Sequence, residues 1–419
     1  MRHRALLVVW VAACGFAPHV PGAGDNVTGD GAIVVDAAIG DANQMVGPCA
    51  SPGAIRDNFD DPAVSPMWTV DTRGGTAVEQ GSRLVVTPTG TLFAGYISKH
   101  YVDLTGAAIE VEVPQMLDVT TNALAELLVE ADVTHFVRIG QRHGMLTATL
   151  ENGGGPMMMT VPYDPVAHRF WKISEAAGQV HFQASPDGLA WTQILMAATP
   201  PFVTAVRIDL GVTGDVAMPT SGSVAFDNLN TQVPVAGWCK ADTLHDAFNR
   251  NGFGLAWANH YTSGSGCTPS INNGAHLDQV GVPTTCYLGT SHAFDLTGSS
   301  AVVLITAITN YKPGWSTFLA FARDDAQGAR ITFDNGQMCA ATEGGMATCQ
   351  TYATSQIYWR IRETAGTLAF ETSADQGTWQ LVTSFADPFA VDAVEIRIGT
   401  QATTNLGATP IGLTVSSYN

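Results

Sequence analysis

Apolar and polar residues alternate with a period of two along most of the chain. In Ile109-Glu110-Val111-Glu112-Val113 every second residue is apolar and the intervening ones are acids, the pattern of a strand with one buried face. Trp171-Lys172-Ile173-Ser174 and Val180-His181-Phe182-Gln183 alternate likewise on either side of Ala176-Ala177-Gly178, which predicts a hairpin. Ser185-Pro186-Asp187-Gly188 is a turn by its chemistry, with Pro fixing φ and Gly admitting positive φ. No long amphipathic helical stretch interrupts the pattern. The expected architecture is all-β.

The strand pattern is written twice. Asp57-Asn58-Phe59 with Trp68 returns as Asp246-Ala247-Phe248 with Trp257, and Asp103-Leu104-Thr105-Gly106 returns unchanged as Asp295-Leu296-Thr297-Gly298. Arg138-Ile139 matches Arg330-Ile331, and Arg207-Ile208 matches Arg397-Ile398. The longest match is Trp171, Ile173, Glu175, Gly178, Phe182, Ser185, Asp187 and Trp191, which all recur at an offset of 188 as Trp359 through Trp379. A period near 190 is too long for a solenoid, so each copy is expected to fold on its own core. Each reads as a two-sheet antiparallel sandwich of about a dozen short strands. The expected division is a leader over 1–14, a tether over 15–48, and sandwiches over 49–238 and 239–419, joined near Val233-Pro234-Val235-Ala236-Gly237. Trp171, Trp191, Trp359 and Trp379 recur in both copies and are read as core.

Composition narrows the class. The chain has 419 residues, 13% of them charged, with 43 Gly and a formal charge of -18. That acidity argues against nucleic acid as a partner, because phosphate binding needs clustered cations. Arg2 and Arg4 precede a nine-residue apolar run, Ala5 to Ala13, which is the length of an export signal rather than an anchor helix. Val11-Ala12-Ala13-Cys14 resembles a bacterial lipobox, which implies lipidation of Cys14 and an anchor at the cell envelope, the outer membrane first, with secretion as the alternative. The tether carries Asp25, Asp30, Asp36 and Asp41 without an Asp-x-Asp-x-Asp-Gly cluster, so a solvated spacer is expected there and calcium is not indicated.

The opening Asp-x-Phe with Trp68 or Trp257, the Asp-Leu-Thr-Gly, and the run Trp-x-Ile-x-Glu-x-x-Gly-x-Val-x-Phe-x-x-Ser-Pro-Asp-Gly-x-x-Trp resemble modules of the concanavalin A-like lectin/glucanase superfamily. The resemblance covers both copies and implies a jelly-roll fold. It does not fix an activity, since one fold hosts many functions. The glucanases of that superfamily carry their carboxylates on a strand reading Glu-x-Asp-x-x-Glu. The nearest match is Glu110-Val111-Glu112-Val113-Pro114-Gln115, with Glu112 in place of Asp and Gln115 in place of the acid/base. Gln cannot act as a general acid, and the second copy has Val302 and Leu304 at the acids' positions. No catalytic residue is therefore assigned, and Glu110 and Glu112 are read as an acidic strand. Glu126 and Glu130 occupy another alternating strand and would complete a four-acid groove if the two strands were neighbours.

Apart from Cys14, six cysteines remain, an even number in an exported chain. Cys49 precedes the first strand of the first copy and Cys239 follows its last. Since first and last strands of such sandwiches lie side by side, Cys49 is paired with Cys239. Cys339 and Cys349 are symmetric about Gly344 and face each other across a hairpin. Cys267 and Cys286 then pair by elimination. No CxxC, HExxH or G-x-S-x-G occurs, so neither a metal, nor another cofactor, nor serine catalysis is indicated.

Binding is the reading that remains. Asn310-Tyr311-Lys312-Pro313-Gly314-Trp315 sets two rings beside a turn that has no ring in the first copy, and aromatic platforms with nearby polar groups suit sugars. Tyr311 and Trp315, with Asp324 and Asp325, are the candidate ligand residues. The expected function is a non-catalytic, envelope-anchored protein with two lectin-like domains that binds a glycan or surface polymer. Its rivals are an adhesive protein that meets protein partners, and a divergent glycoside hydrolase using Glu110 or Glu112.

Overall fold

A computed structural model describes residues 49–61, 63–118, 120, 122–214, 222–257, 259–263, 266–324 and 326–419. The leader, Cys14 and the tether lie outside the described residues, as does Asp325. Helical structure among the described residues is confined to single 3-10 turns, and everything else regular is strand. The fold is two antiparallel jelly-roll β-sandwiches.

The copies match strand for strand. In the first, seven strands run in the order Trp68–Asp71, Phe93–Ser98, Arg207–Thr213, Leu124–Asp132, His135–Arg142, Met145–Asn152, Met157–Pro162. The corresponding sheet of the second copy runs Asn259–Thr262, Thr284–Gly289, Glu395–Ala402, Trp315–Ala322, Gly328–Asp334, Gln337–Thr342, Thr348–Thr351. We call these the front sheets. The back sheet of the first copy runs Gly75–Glu79, Leu84–Pro88, Val224–Asp227, Ala108–Gln115, Phe170–Ala176, Gln179–Ser185, Thr192–Ala198. Its counterpart runs Cys267–Ile271, Ala275–Gln279, Ile411–Tyr418, Ser300–Thr309, Tyr358–Glu363, Thr367–Ser373, Trp379–Ala386.

The repeated residues turn out to be the fold's supports. Asp103 accepts the Thr105 N–H at 2.8 Å, and the Gly106 N–H that follows donates to Glu175 at 2.6 Å. Glu175 also accepts from Gly178 N–H at 3.0 Å and the Thr199 hydroxyl at 2.9 Å, tying the Asp-Leu-Thr-Gly loop to the next hairpin. In the second copy Glu363 does the same for Gly298 and Gly366. The hairpins turn on Ala177-Gly178 and Ala365-Gly366, all four with positive φ, the two-residue turn whose twist suits antiparallel strands. Ser185 and Asp187 cap the following turn, as Ser373 and Asp375 do in the second copy.

Each sandwich buries its own apolar cluster, with Trp171 in one and Trp359 in the other, both 0% exposed. Trp191 and Trp379 depart from the sequence reading. Both are half-buried and lie outside the core, under Lys172 at 4.7 Å and Arg360 at 3.8 Å on the outer faces of the back sheets. Each follows a capped turn at an edge strand, where alternation no longer points the ring inward. The disulfides are Cys49–Cys239, Cys267–Cys286 and Cys339–Cys349. Cys49–Cys239 spans 190 residues and closes the first sandwich at the joint, where Trp238 packs against both cores. The Tyr101 N–H donates to Ser291 O across the joint at 3.0 Å.

Candidate functional site

The sequence candidates do not assemble as expected. Trp315 is 0% exposed in the second core, whereas Tyr311 is 50% exposed and sets its ring edge-on to Phe333 at 5.0 Å. Trp315 opens a strand on the same parity as Leu319 and Phe321, so alternation turns it inward. It cannot serve as a sugar platform, and Tyr311 and Trp315 do not form a pair of exposed rings. Asp324 accepts the N–H groups of Ala326 and Gln327, which orders its loop, and it lines a cavity described below.

The four-acid groove does not form either. Glu110 and Glu112 belong to the back sheet and Glu126 and Glu130 to the front sheet, so the core separates the two pairs. Glu110 is held by Lys172 at 2.7 Å, and Glu112 by Arg169 and by the Asn228 amide, the latter at 2.7 Å. Both carboxylates are largely covered, with side chains 12% and 8% exposed.

Glu126 and Glu130 do share a face, the outer face of the first front sheet. Ile208, Leu210 and Val212 point into the core, so Arg207, Asp209 and Gly211 point out. Across the strands one row reads Asp71, Gly95, Gly211, Glu126, Gly140. The neighbouring row sets Asp209 between Ile97 and Leu128, and the next sets Glu130 opposite Arg207. Glu130 pairs with Arg207 at 3.0 Å; Glu126 accepts from the Thr213 hydroxyl at 2.6 Å and from Arg138 at 3.3 Å. Burial pushes Glu126 and Glu130 up, opposed chiefly by Arg138 and Arg207 respectively. Asp209 is held well above the usual carboxylate range by burial and by the neighbouring Glu130 charge, and its Oδ1 has no hydrogen-bond partner. Glu126 is 1% exposed and Asp209 4%, so this face is a covered polar network.

The same face of the second copy has different chemistry. Gly399 replaces Asp209, Ala320 replaces Glu130 opposite Arg397, and Ser316 replaces Glu126 opposite Gln401. The row through Gly399 reads Tyr261, Tyr287, Gly399, Phe318, Thr332. The Tyr261 and Tyr287 rings stack at 5.2 Å, and Arg397 lies over Tyr287 at 4.8 Å while pairing with Glu395 at 2.6 Å. A Cβ on residue 399 would come within 2.4 Å of the Phe318 ring and 2.7 Å of the Tyr287 Cβ, so glycine is what lets the two rings flank one floor. A cavity of about 150 Å³ opens over this floor, with Tyr287, Phe318, Arg330, Arg397 and Gln401 among its walls and Asp324 at one end. The half-buried Arg330 lines this cavity together with Glu343. Rings below and guanidinium, amide and carboxylate groups around them can hold a polyhydroxylated ring.

Of this site the sequence reading had only Asp324. Tyr261, Tyr287, Phe318 and Arg397 come from four strands, and register alone brings them together. Arg397 enters the sequence pattern only as the counterpart of Arg207. Comparing its surroundings between copies, Tyr287 against Ile97 and Gly399 against Asp209, was the signal that could have found the rest. Among the described residues no three His, Cys, Asp or Glu side chains gather as a metal site.

Neither a family model nor a curated protein matches the chain. Solved structures that are similar include a Crh5 transglycosylase in complex with NAG, at 16% identity and TM-score 0.30, covering 43% of this chain and 89% of that one. Another is SCLam, a non-specific endo-β-1,3(4)-glucanase from family GH16, at 11% identity and TM-score 0.34, covering 44% and 93%. A third is a glycoside hydrolase family 16 endo-glucanase from Bacteroides ovatus, at 9% identity and TM-score 0.32, covering 42% and 98%.

Proposed function

We propose that this protein is an exported glycan-binding protein that acts without catalysis, and that its second sandwich carries the binding site. The observation that supports this most is the pairing of the Tyr287 and Phe318 rings in one cavity that Arg330, Arg397, Gln401, Glu343 and Asp324 also line, with Tyr261 stacked behind Tyr287. With Tyr261 stacked on Tyr287 and Arg397 lying over it, a pyranose ring would pack against the Tyr287 edge and the Phe318 ring, while the rim groups exchange hydrogen bonds with hydroxyls. In the first copy the acids are engaged by cations or withdrawn from solvent, which favours a supporting role for that sandwich. The three disulfides suit an oxidising compartment. In this reading Cys14 carries the lipid that holds the protein at the cell envelope.

The test is a screen of the oxidised chain against neutral and acidic polysaccharides, parent beside Tyr287→Ala, with reducing ends assayed in the same wells. Saturable binding that Tyr287→Ala removes, without sugar release, is the expected result. Binding to no glycan would favour an adhesive protein with protein partners, and released reducing ends would make the protein a hydrolase.

A further inference from the structure

A second cavity, about 250 Å³, lies in the joint between the sandwiches. The first copy and the linker contribute Met67, His100 and Trp238; the second copy contributes Asp295, Arg323 and Asp392. The Trp238 ring is half-buried and meets the His100 ring edge-on at 5.7 Å. Opposite them Asp392 keeps an exposed side chain and holds Arg323 only loosely, at 3.7 Å. Arg323 also donates to Ala390 O at 3.3 Å, and an aromatic wall facing an arginine and an aspartate brings together the same kinds of group as the Tyr287 site, at the kind of boundary where ligand sites concentrate.

The two cavities are lined by consecutive residues of one loop. Arg323 lines the joint cavity and Asp324, the next residue, lines the cavity over Tyr287. Arg397, a wall of the Tyr287 cavity, is also near enough to His100 to act on it electrostatically. His100 is pushed down to about 3, foremost by burial and then by the charges of Lys99, Arg397 and His292. Arg323 and Asp324 therefore place the two linings side by side in the chain, with Arg397 on the Tyr287 side and Trp238 on the joint side.

We infer that the joint cavity is a second subsite of the same groove, and that the ligand is a linear oligosaccharide or polysaccharide long enough to reach from Tyr287 to Trp238. This rests on the glycan-binding reading above and adds a chain-length requirement to it. Neither sandwich alone would hold such a ligand fully, which gives the tandem arrangement and the Cys49–Cys239 staple at the joint a purpose.

The experiment measures affinity of the oxidised chain for ladders of β-glucan, chitin and xylan oligosaccharides, from disaccharide to octasaccharide. Ala393, half-buried in the joint cavity wall, is replaced by Trp to fill the subsite without touching Tyr287, and Arg323→Gln removes a polar contact. The parent should gain about tenfold or more in affinity between the shortest and longest members of the ladder it recognises. Ala393→Trp should abolish that gain while leaving disaccharide affinity unchanged, and Arg323→Gln should reduce it several-fold. Thermal unfolding confirms that each variant is folded. A parent whose affinity does not depend on length, or an Ala393→Trp protein with the full gain, would overturn the joint subsite and leave the Tyr287 site standing. Binding of no ladder at all would overturn both.

Discussion

The outer faces of the two front sheets occupy the same place in the same fold, and almost nothing on them is the same. In the first copy Asp209 sits between Ile97 and Leu128, with Glu130 and Arg207 beside it; in the second, Gly399 sits between Tyr287 and Phe318, with Ala320 and Arg397 beside it. Of these residues only Arg207 persists, as Arg397, and beside them Arg138 persists as Arg330. The back-sheet hairpins behave in the opposite way, for Glu175 and Glu363 receive equivalent N–H groups from equivalent glycines. Residues that recur between the copies hold the sandwich together, and the face on which they diverge is the one free to take up a ligand.

The largest effects should come from the fold's supports. Glu175→Ala and Glu363→Ala each remove a buried carboxylate that ties two turn N–H groups together, and each should destabilise its own sandwich by about 2 kcal/mol in denaturant unfolding. Neither should alter glycan affinity. A large effect in one copy only would break the equivalence. The Cys339–Cys349 bond closes a loop of 10 residues on an edge hairpin that has no disulfide in the first copy. Replacing both cysteines by Ser should cost about 2–3 kcal/mol, confined to the second sandwich.

A smaller effect separates the copies by pH. A carboxyl whose folded-state pKa lies above its unfolded value stabilises the fold fully below the unfolded value and loses that contribution as pH rises through the folded one. Asp209 is such a group, raised by burial and by Glu130. From about pH 4 upward it should progressively weaken the first sandwich, and Asp209→Asn should recover about 1 kcal/mol or more near neutral pH but little at pH 4. His100 and His292 are pushed down to about 3 and about 4, in both cases mainly by burial. Their contribution has the opposite sign, being lost as pH falls below the unfolded histidine value. They are common to parent and variant, so the difference between the two unfolding curves isolates Asp209. With Gly399 at the matching position, the second sandwich should not follow the Asp209 trend.

Much of the fold was legible in the sequence because its causes are local. Alternation marks Ile109–Val113 as a strand wherever it pairs, and the Gly178 and Gly366 turns need positive φ regardless of context. The recurrence of Glu175 as Glu363 exposed the duplication even though the carboxylate's three donors could not be foreseen. Parity alone could have corrected Trp315, since Leu319 and Phe321 fix which face of that strand is buried. The site was illegible for a different reason. Tyr261, Tyr287, Phe318 and Arg397 are spread over more than a hundred residues, and only strand order and register set them in adjacent rows. The same ignorance of strand order joined Glu110 and Glu112 to Glu126 and Glu130, which the core keeps apart.

One exchange between the copies tests the central claim most directly. Tyr287→Ile gives the second copy the residue that the first has as Ile97, and calorimetric titration with the recognised glycan compares it with the parent and with Ile97→Ala. Tyr287→Ile should lose about 30-fold or more in affinity, the scale of a buried aromatic anchor, while Ile97→Ala binds as the parent does. Undiminished binding by Tyr287→Ile, or a loss seen only in Ile97→Ala, would contradict a site on the second copy.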